Sequence, residues 1–117
     1  MKPLFSILVV CLNPGVKLKN TLQSIMKQTF TDYEVIVKDG GSTDGSLDCI
    51  GKLADCRIKQ VCKKDKGIYD AMNQAVLEAS GQYIYFLNCG DIISNFSINT
   101  NTNYINKIFI INFSNIN

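Results

Sequence analysis

A chain of 117 residues with 46% hydrophobic and 19% charged side chains is one domain long and carries enough apolar material for one core, which excludes a disordered tail as its main character. Twelve basic against ten acidic residues leave a net charge of +2, too near neutral for a nucleic-acid binder. The absence of histidine removes Ser-His-Asp and Cys-His catalysis and any histidine-ligated metal from this chain.

Lys2 followed by the apolar residues 4–12 imitates a short signal peptide, but Asn13-Pro14-Gly15 is turn chemistry rather than a small-residue cleavage site. No apolar run has the length of a membrane span, so the expectation is a cytoplasmic protein. Residues 5–12, rich in β-branched side chains, are predicted to form a strand buried on both faces. Leu18, Leu22, Ile25, Met26 and Thr29 then recur on one face of a helix. Residues 33–37 give a second strand, and Ser42 or Thr43 is expected to cap a helix whose apolar positions are Leu47, Ile50 and Ala54. In that reading Asp44 is a first-turn acid facing the helix dipole.

Residues 57–62 form a short third strand and residues 63–66 a charged loop. Ile68, Met72, Ala75, Val76 and Ala79 repeat the helical spacing, with Gly81 as the stop; Tyr69 is read as packing and Met72 as core. Residues 83–87 are a fourth strand. Strand and helix alternate, so the fold class is α/β: a Rossmann-like, mostly parallel sheet with flanking helices and right-handed crossovers. Residues 1–94 make the organised part. Residues 95–117 are an Asn/Ile-rich tail, read either as low complexity or as a departure from the domain by truncation or frame change, with residues 108–113 as a candidate edge strand. The edge beyond the fourth strand is otherwise left uncovered, which implies marginal solubility. The five cysteines contain no C-x-x-C pair and are read as buried free thiols.

Ligands of open parallel sheets bind beyond the carboxyl ends of the strands. Here those ends carry Cys11-Leu12-Asn13, then Asp39-Gly40-Gly41-Ser42-Thr43-Asp44, then Lys64-Asp65-Lys66-Gly67, then Asn88-Cys89-Gly90-Asp91. Neither G-x-G-x-x-G after the first strand nor G-x-x-x-x-G-K-[ST] occurs, so dinucleotide and P-loop sites are poorly supported. Two acidic strand ends, Asp39 and Asp91, suit a nucleoside contact and a divalent cation respectively. Asp39 lies at a loop in this reading, so its replacement is expected to leave stability nearly unchanged.

The segments at residues 6–13 and 24–30 resemble the opening of family 2 glycosyltransferases. Asp39-Gly40-Gly41-Ser42-Thr43-Asp44-Gly45 resembles that family's D-x-G-S-T-D loop. Lys66-Gly67-Ile68-Tyr69-Asp70-Ala71-Met72-Asn73 is similar to the G-I-Y-D-A-M-N variant of a subgroup that makes bacterial surface polysaccharides, and residues 86–91 fall where the family carries its D-x-D metal motif. The resemblance implies the donor-binding part of a GT-A fold and an inverting transfer of sugar from a nucleotide-sugar, with a UDP-sugar favoured, to a hydroxyl of a glycan or lipid-linked acceptor. Such an acceptor brings peripheral membrane association into view. By the same resemblance Val10, Cys11, Leu12 and Asn13 line the base pocket and Asp39 accepts a hydrogen bond from the base. Gly41, Ser42, Lys66, Asp70, Asn73 and Asn88 complete the donor site, and Asp91 holds Mg²⁺ or Mn²⁺. Asn88 and Gly90 stand where the family's first and third motif aspartates would be, leaving Asp91 as the carboxylate of that turn. No residue is assigned as catalytic base, because residues 92–117 contain no Asp or Glu; the alternative is a nucleotide-binding module without turnover or an inactive remnant.

Overall fold

The computed structural model describes residues 2–92 and the backbone of residues 110–112. Apart from those three residues, the expected tail lies outside the described residues. Strands β1 (Phe5–Cys11), β2 (Tyr33–Asp39), β3 (Ile58–Cys62) and β4 (Tyr83–Phe86) alternate with helices α1 (Val16–Met26), α2 (Asp48–Leu53) and α3 (Ile68–Glu78). A strand β5 (Ile110–Asn112), inside the candidate edge strand at residues 108–113, pairs antiparallel with β4 and covers the outer edge that was otherwise expected to be bare. The sheet order is β3-β2-β1-β4-β5, with every pair among the first four strands parallel.

Alternation along β1 and β2 splits the core in two. Phe5, Ile7 and Val9 with Tyr33, Val35 and Val37 face Leu18, Leu22 and Ile25 of α1, and Leu47, Ile50 and Leu53 around α2 pack onto the same layer. Leu8 and Ile36 face the other way, against Ala75 of α3 and Ile84 of β4. The helices thus change sides between β3 and β4. That reversal places the topological switch point, where open α/β sheets bind ligands in a crevice, between the carboxyl ends of β1 and β4.

Several local expectations are corrected. Thr29 lies beyond α1, which ends at Met26. Neither Ser42 nor Thr43 caps α2, which begins only at Asp48 with no side-chain cap, because both residues are spent on contacts to the β1 and β2 loops. Asp44 is likewise outside the helix, accepting from the amides of Gly15 at 3.0 Å and Ser46 at 3.0 Å. On α3 the buried positions are Ala71 and Ala75, whereas Ile68 is exposed and Tyr69 is 80% exposed rather than packed; Met72 is only half-buried. The helix ends because Ala79 turns extended, not through Gly81. A β-carbon on Gly81 would lie 2.7 Å from the carbonyl carbon of Phe5, so this glycine lets the link into β4 run against β1. Of the cysteines, all free, Cys11, Cys49 and Cys89 are half-buried and Cys56 and Cys62 exposed, so none is the fully buried thiol expected.

Candidate functional site

Asp39 closes β2, beside Cys11 of β1 in the parallel register, and is only 3% exposed. Its carboxylate organises the turn that follows: Oδ2 accepts from the amides of Gly41 (3.2 Å) and Ser42 (2.9 Å), and Oδ1 accepts from the Ser42 hydroxyl. The Cys11 thiol stands 3.8 Å from Oδ1 as a weaker fourth donor. Gly41, at φ 112, has the backbone freedom this turn demands. Asp39 is therefore a buried, fully engaged carboxylate and not a bystander in a loop, which overturns the expectation that replacing it spares stability.

The loop after β1 is tied to the same turn. Asn13 donates its amide to Ser42 Oγ at 2.7 Å, and its side-chain Oδ1 accepts from the Thr43 amide at 2.7 Å. Asn13 adopts φ 47, a left-handed conformation that asparagine tolerates better than most residues. Val10 and Cys11 are half-buried at the strand end, while Leu12 is 61% exposed over it. The sequence-selected group Val10, Cys11, Leu12, Asn13, Asp39, Gly41 and Ser42 is thus one connected cluster.

On the β4 side, the Asp91 amide donates to the Asn88 carbonyl at 3.0 Å, closing a turn through Gly90 at φ 105. Thr21 of α1, fully buried, pins that turn: its hydroxyl accepts from the Gly90 amide and donates to the Asp91 carbonyl, both at 2.8 Å. Sequence reasoning missed Thr21, whose signal is a polar residue inside the apolar stripe of Leu18, Leu22 and Ile25. Asn88 is exposed, and no hydrogen bond or ion pair among the described residues engages the Asp91 carboxylate.

The β3–α3 loop supplies the remaining candidates. Asp70 Oδ2 accepts from the Lys66 amide at 2.8 Å and from Gln74 Nε2 at 3.2 Å, so it caps the start of α3. Lys66 and Asn73 are exposed, and among the described residues no hydrogen bond or ion pair joins either to the Asp39 turn. A second residue that the sequence did not flag is Lys38, fully buried and ion-paired to Asp65 at 2.9 Å.

Among the described residues no three carboxylates or thiols gather as a ready cage for a divalent cation. The thiols resist the deprotonation that a metal ligand needs: burial foremost, with the neighbouring Cys89 and Asp39 charges, pushes Cys11 up to about 12, and burial raises Cys89 also. What remains at the crevice is oxygen, from the Asp91 carboxylate and the Asn88 amide. One carboxylate beside a phosphate-bearing ligand is the coordination that Mg²⁺ and Mn²⁺ accept. The residues fit a cation shared with a diphosphate and do not fit one held by protein alone.

Comparison with known proteins shows the family of the chain. The family model described as glycosyl transferase family 2 matches residues 6–95. A PGL/p-HBAD biosynthesis glycosyltransferase of Mycobacterium bovis is 39% identical over 92 residues, covering 76% of this chain and 36% of the relative. The Escherichia coli UDP-Glc:alpha-D-GlcNAc-diphosphoundecaprenol beta-1,3-glucosyltransferase WfaP is 37% identical over 91 residues, 75% of this chain and 36% of that protein. Among solved structures, S. aureus TarS in complex with UDP-GlcNAc superposes with a TM-score of 0.71 at 30% identity, over 80% of this chain and 28% of TarS. The mannosyltransferase PcManGT from Pyrobaculum calidifontis, in complex with GDP-Man and Mn²⁺, superposes with a TM-score of 0.72 at 23% identity, over 80% of this chain and 29% of that one, a likeness of fold alone. This chain therefore spans about a third of the length of the curated relatives it matches.

Proposed function

Because the chain belongs to glycosyl transferase family 2, we propose that its crevice receives the nucleotide of a nucleotide-sugar and that residues 1–94 are the donor-binding part of an inverting transferase. The observation that carries this reading is the knot of hydrogen bonds joining the Asn13 loop of β1 to the Asp39 turn of β2 at the carboxyl edge of the sheet, beside the switch point. A UDP-sugar is favoured as donor: WfaP is named for UDP-Glc, and TarS is complexed with UDP-GlcNAc. The diphosphoundecaprenol in the name of WfaP supports a lipid-linked acceptor, with cytoplasmic placement and peripheral membrane association to match. The Lys66–Asn73 motif supports the surface-polysaccharide subgroup. No described helix is long and apolar enough to cross a membrane.

In this reading the residues of the chain act as follows. Val10, Cys11, Leu12 and Asn13 wall the base, with the exposed Leu12 covering one face. The base's N–H displaces the Cys11 thiol, the weakest of the four donors on Asp39, so recognition leaves the turn's own hydrogen bonds intact. Gly41 and Ser42 hold that carboxylate in place. Asn88 and Asp91 hold a divalent cation against the diphosphate, with Lys66, Asp70 and Asn73 closing the opposite side. Bound there, the cation neutralises charge on the departing nucleoside diphosphate. Transfer forms a bond from an acceptor oxygen to the anomeric carbon, breaks the bond to the diphosphate and delivers the acceptor's proton to a base.

That base is the argument for a second reading, a donor-binding module without turnover. Residues 92–117 hold no Asp, Glu or His, and a positioned base typically supplies 10²–10⁴-fold in rate. The chain by itself is accordingly expected to bind donor and to transfer sugar barely above background. Calorimetric titration of uridine diphosphate with and without Mn²⁺ tests the proposal. Binding should strengthen with Mn²⁺, and Asp91→Ala should remove the gain while sparing metal-free affinity. A folded chain with no affinity for uridine diphosphate at millimolar concentration defeats the donor assignment.

A further inference from the structure

Lys38 faces the α3 side of β2, in the same row as Ile36, yet it is fully buried with no aromatic or apolar reason to be charged. An ammonium has three N–H donors and no acceptor. Here all three have partners: the carbonyl of Asp39 at 3.2 Å, the carbonyl of Lys63 at 2.5 Å and Asp65 Oδ2 at 2.9 Å. The other oxygen of Asp65 accepts from the Gly67 amide at 3.1 Å, one residue before α3 begins. The Asp39 carbonyl also accepts from the Lys63 amide at 2.9 Å. A β-carbon on Gly40 would lie 2.8 Å from Asp65 Oδ2, so a side chain at residue 40 would crowd the Asp65 carboxylate where the two loops meet.

Resting on the donor-site reading above, we infer that Lys38 is a positioning residue: its buried ammonium, with Asp65, latches the Asp39–Ser42 turn after β2 to the Lys63–Gly67 loop after β3 and so holds these two loops on the β1 side of the crevice as one rigid unit. Lys38 never meets the ligand. It acts through the backbone of Asp39 on one side and through Asp65 and Gly67 on the other. A point charge with three diverging donors fills this role, whereas the flat fork of arginine cannot direct its donors the same way.

The test separates positioning from mere stability. Removing one partner of a buried ion pair strands the other, but replacing both with apolar groups commonly restores stability. Lys38→Met, Lys38→Arg and the pair Lys38→Met/Asp65→Leu are compared in the full chain by thermal melting, amide hydrogen exchange and uridine diphosphate titration. Lys38→Met should accelerate exchange at Lys63 and Gly67 at least tenfold more than at the β1 and β2 core amides, and weaken nucleotide binding at least fivefold. Arginine should not rescue either effect. The double variant should recover its melting temperature while its loop exchange stays fast and its affinity low. If loop exchange and affinity return together with stability in the double variant, or if loop exchange in Lys38→Met merely tracks the core, the latch is overturned. Should the parent chain fail to bind uridine diphosphate, the donor reading falls, and the exchange pattern alone still decides whether Lys38 couples the two loops.

Discussion

Asp39→Asn exchanges a carboxylate oxygen for an amide nitrogen, so a donor faces the amides of Gly41 and Ser42 or the Ser42 hydroxyl. Losing charge-assisted hydrogen bonds at a 3% exposed site is expected to cost about 1.5–3 kcal/mol, read as a lower urea midpoint at unchanged slope. Nucleotide affinity should fall roughly tenfold or more beyond that loss, measured by titration well below the melting temperature. Gly81→Ala acts elsewhere, driving a methyl to 2.7 Å from the Phe5 carbonyl carbon and Ser6 nitrogen, backbone atoms that cannot swing aside. Overpacking of this kind costs about 1–3 kcal/mol, and the melting temperature should drop accordingly. Asp39 was legible in the sequence because Asp-Gly-Gly-Ser is turn chemistry at a strand end. Lys38 was not, since a lysine beside an aspartate reads as a solvated strand exit; its burial depends on Asp65, which only the folded chain brings near. Thr21 escaped for the same reason, its partners at Gly90 and Asp91 lying far along the chain.

The elements follow their periodicity where burial is two-sided and depart from it where loops compete. β1 is a nearly continuous apolar run and β2 carries the apolar centre Val35–Val37, both covered on two faces, and their positions were readable to within two residues. α2 was misread because its expected cap, Ser42, gains more from the Asp39 carboxylate and the Asn13 amide than from a helix N-terminus. Only the Ile68 end of the α3 stripe was misread, because apolar spacing alone cannot say where a helix leaves the sheet: Ile68 is exposed, whereas Ala75, Val76 and Ala79 of the same stripe pack with Leu8 and Ile36. α2 ends at Ala54 in the left-handed region, φ 48 and ψ 38, where a β-carbon is unfavourable. Ala54→Gly is therefore expected to stabilise the chain by about 1 kcal/mol, seen as a rise of about 3–5 °C in melting temperature. This substitution touches no residue of the crevice, so nucleotide affinity should stay as in the parent.

Across the whole molecule, charge confines stability to a window. Hydrogen bonds from Lys38 and Gly67 hold the Asp65 carboxyl below its ordinary value, those from Arg57 do so for Asp55, and those from Ser46 and Gly15 for Asp44. The unfolded chain binds these protons first as pH falls, so their contribution is complete above about pH 4 and is lost below it. Burial raises Cys11 to about 12, so the unfolded chain releases that proton first and stability declines as pH climbs from about 8.5. Denaturant midpoints against pH should give a plateau between these limits, and Lys38→Met should flatten the acid side. The strand order has a consequence in time as well. β1 pairs with β2 across about 28 residues but with β4 across about 78, loops whose closure costs about 3 and 4 kcal/mol of chain entropy. The first βαβ unit can assemble while the far side of β1 still waits for its neighbour. During synthesis β1 is thus half-paired until residues 83–86 have emerged, and the crevice, which lies between β1 and β4, comes into being only after the first βαβ unit.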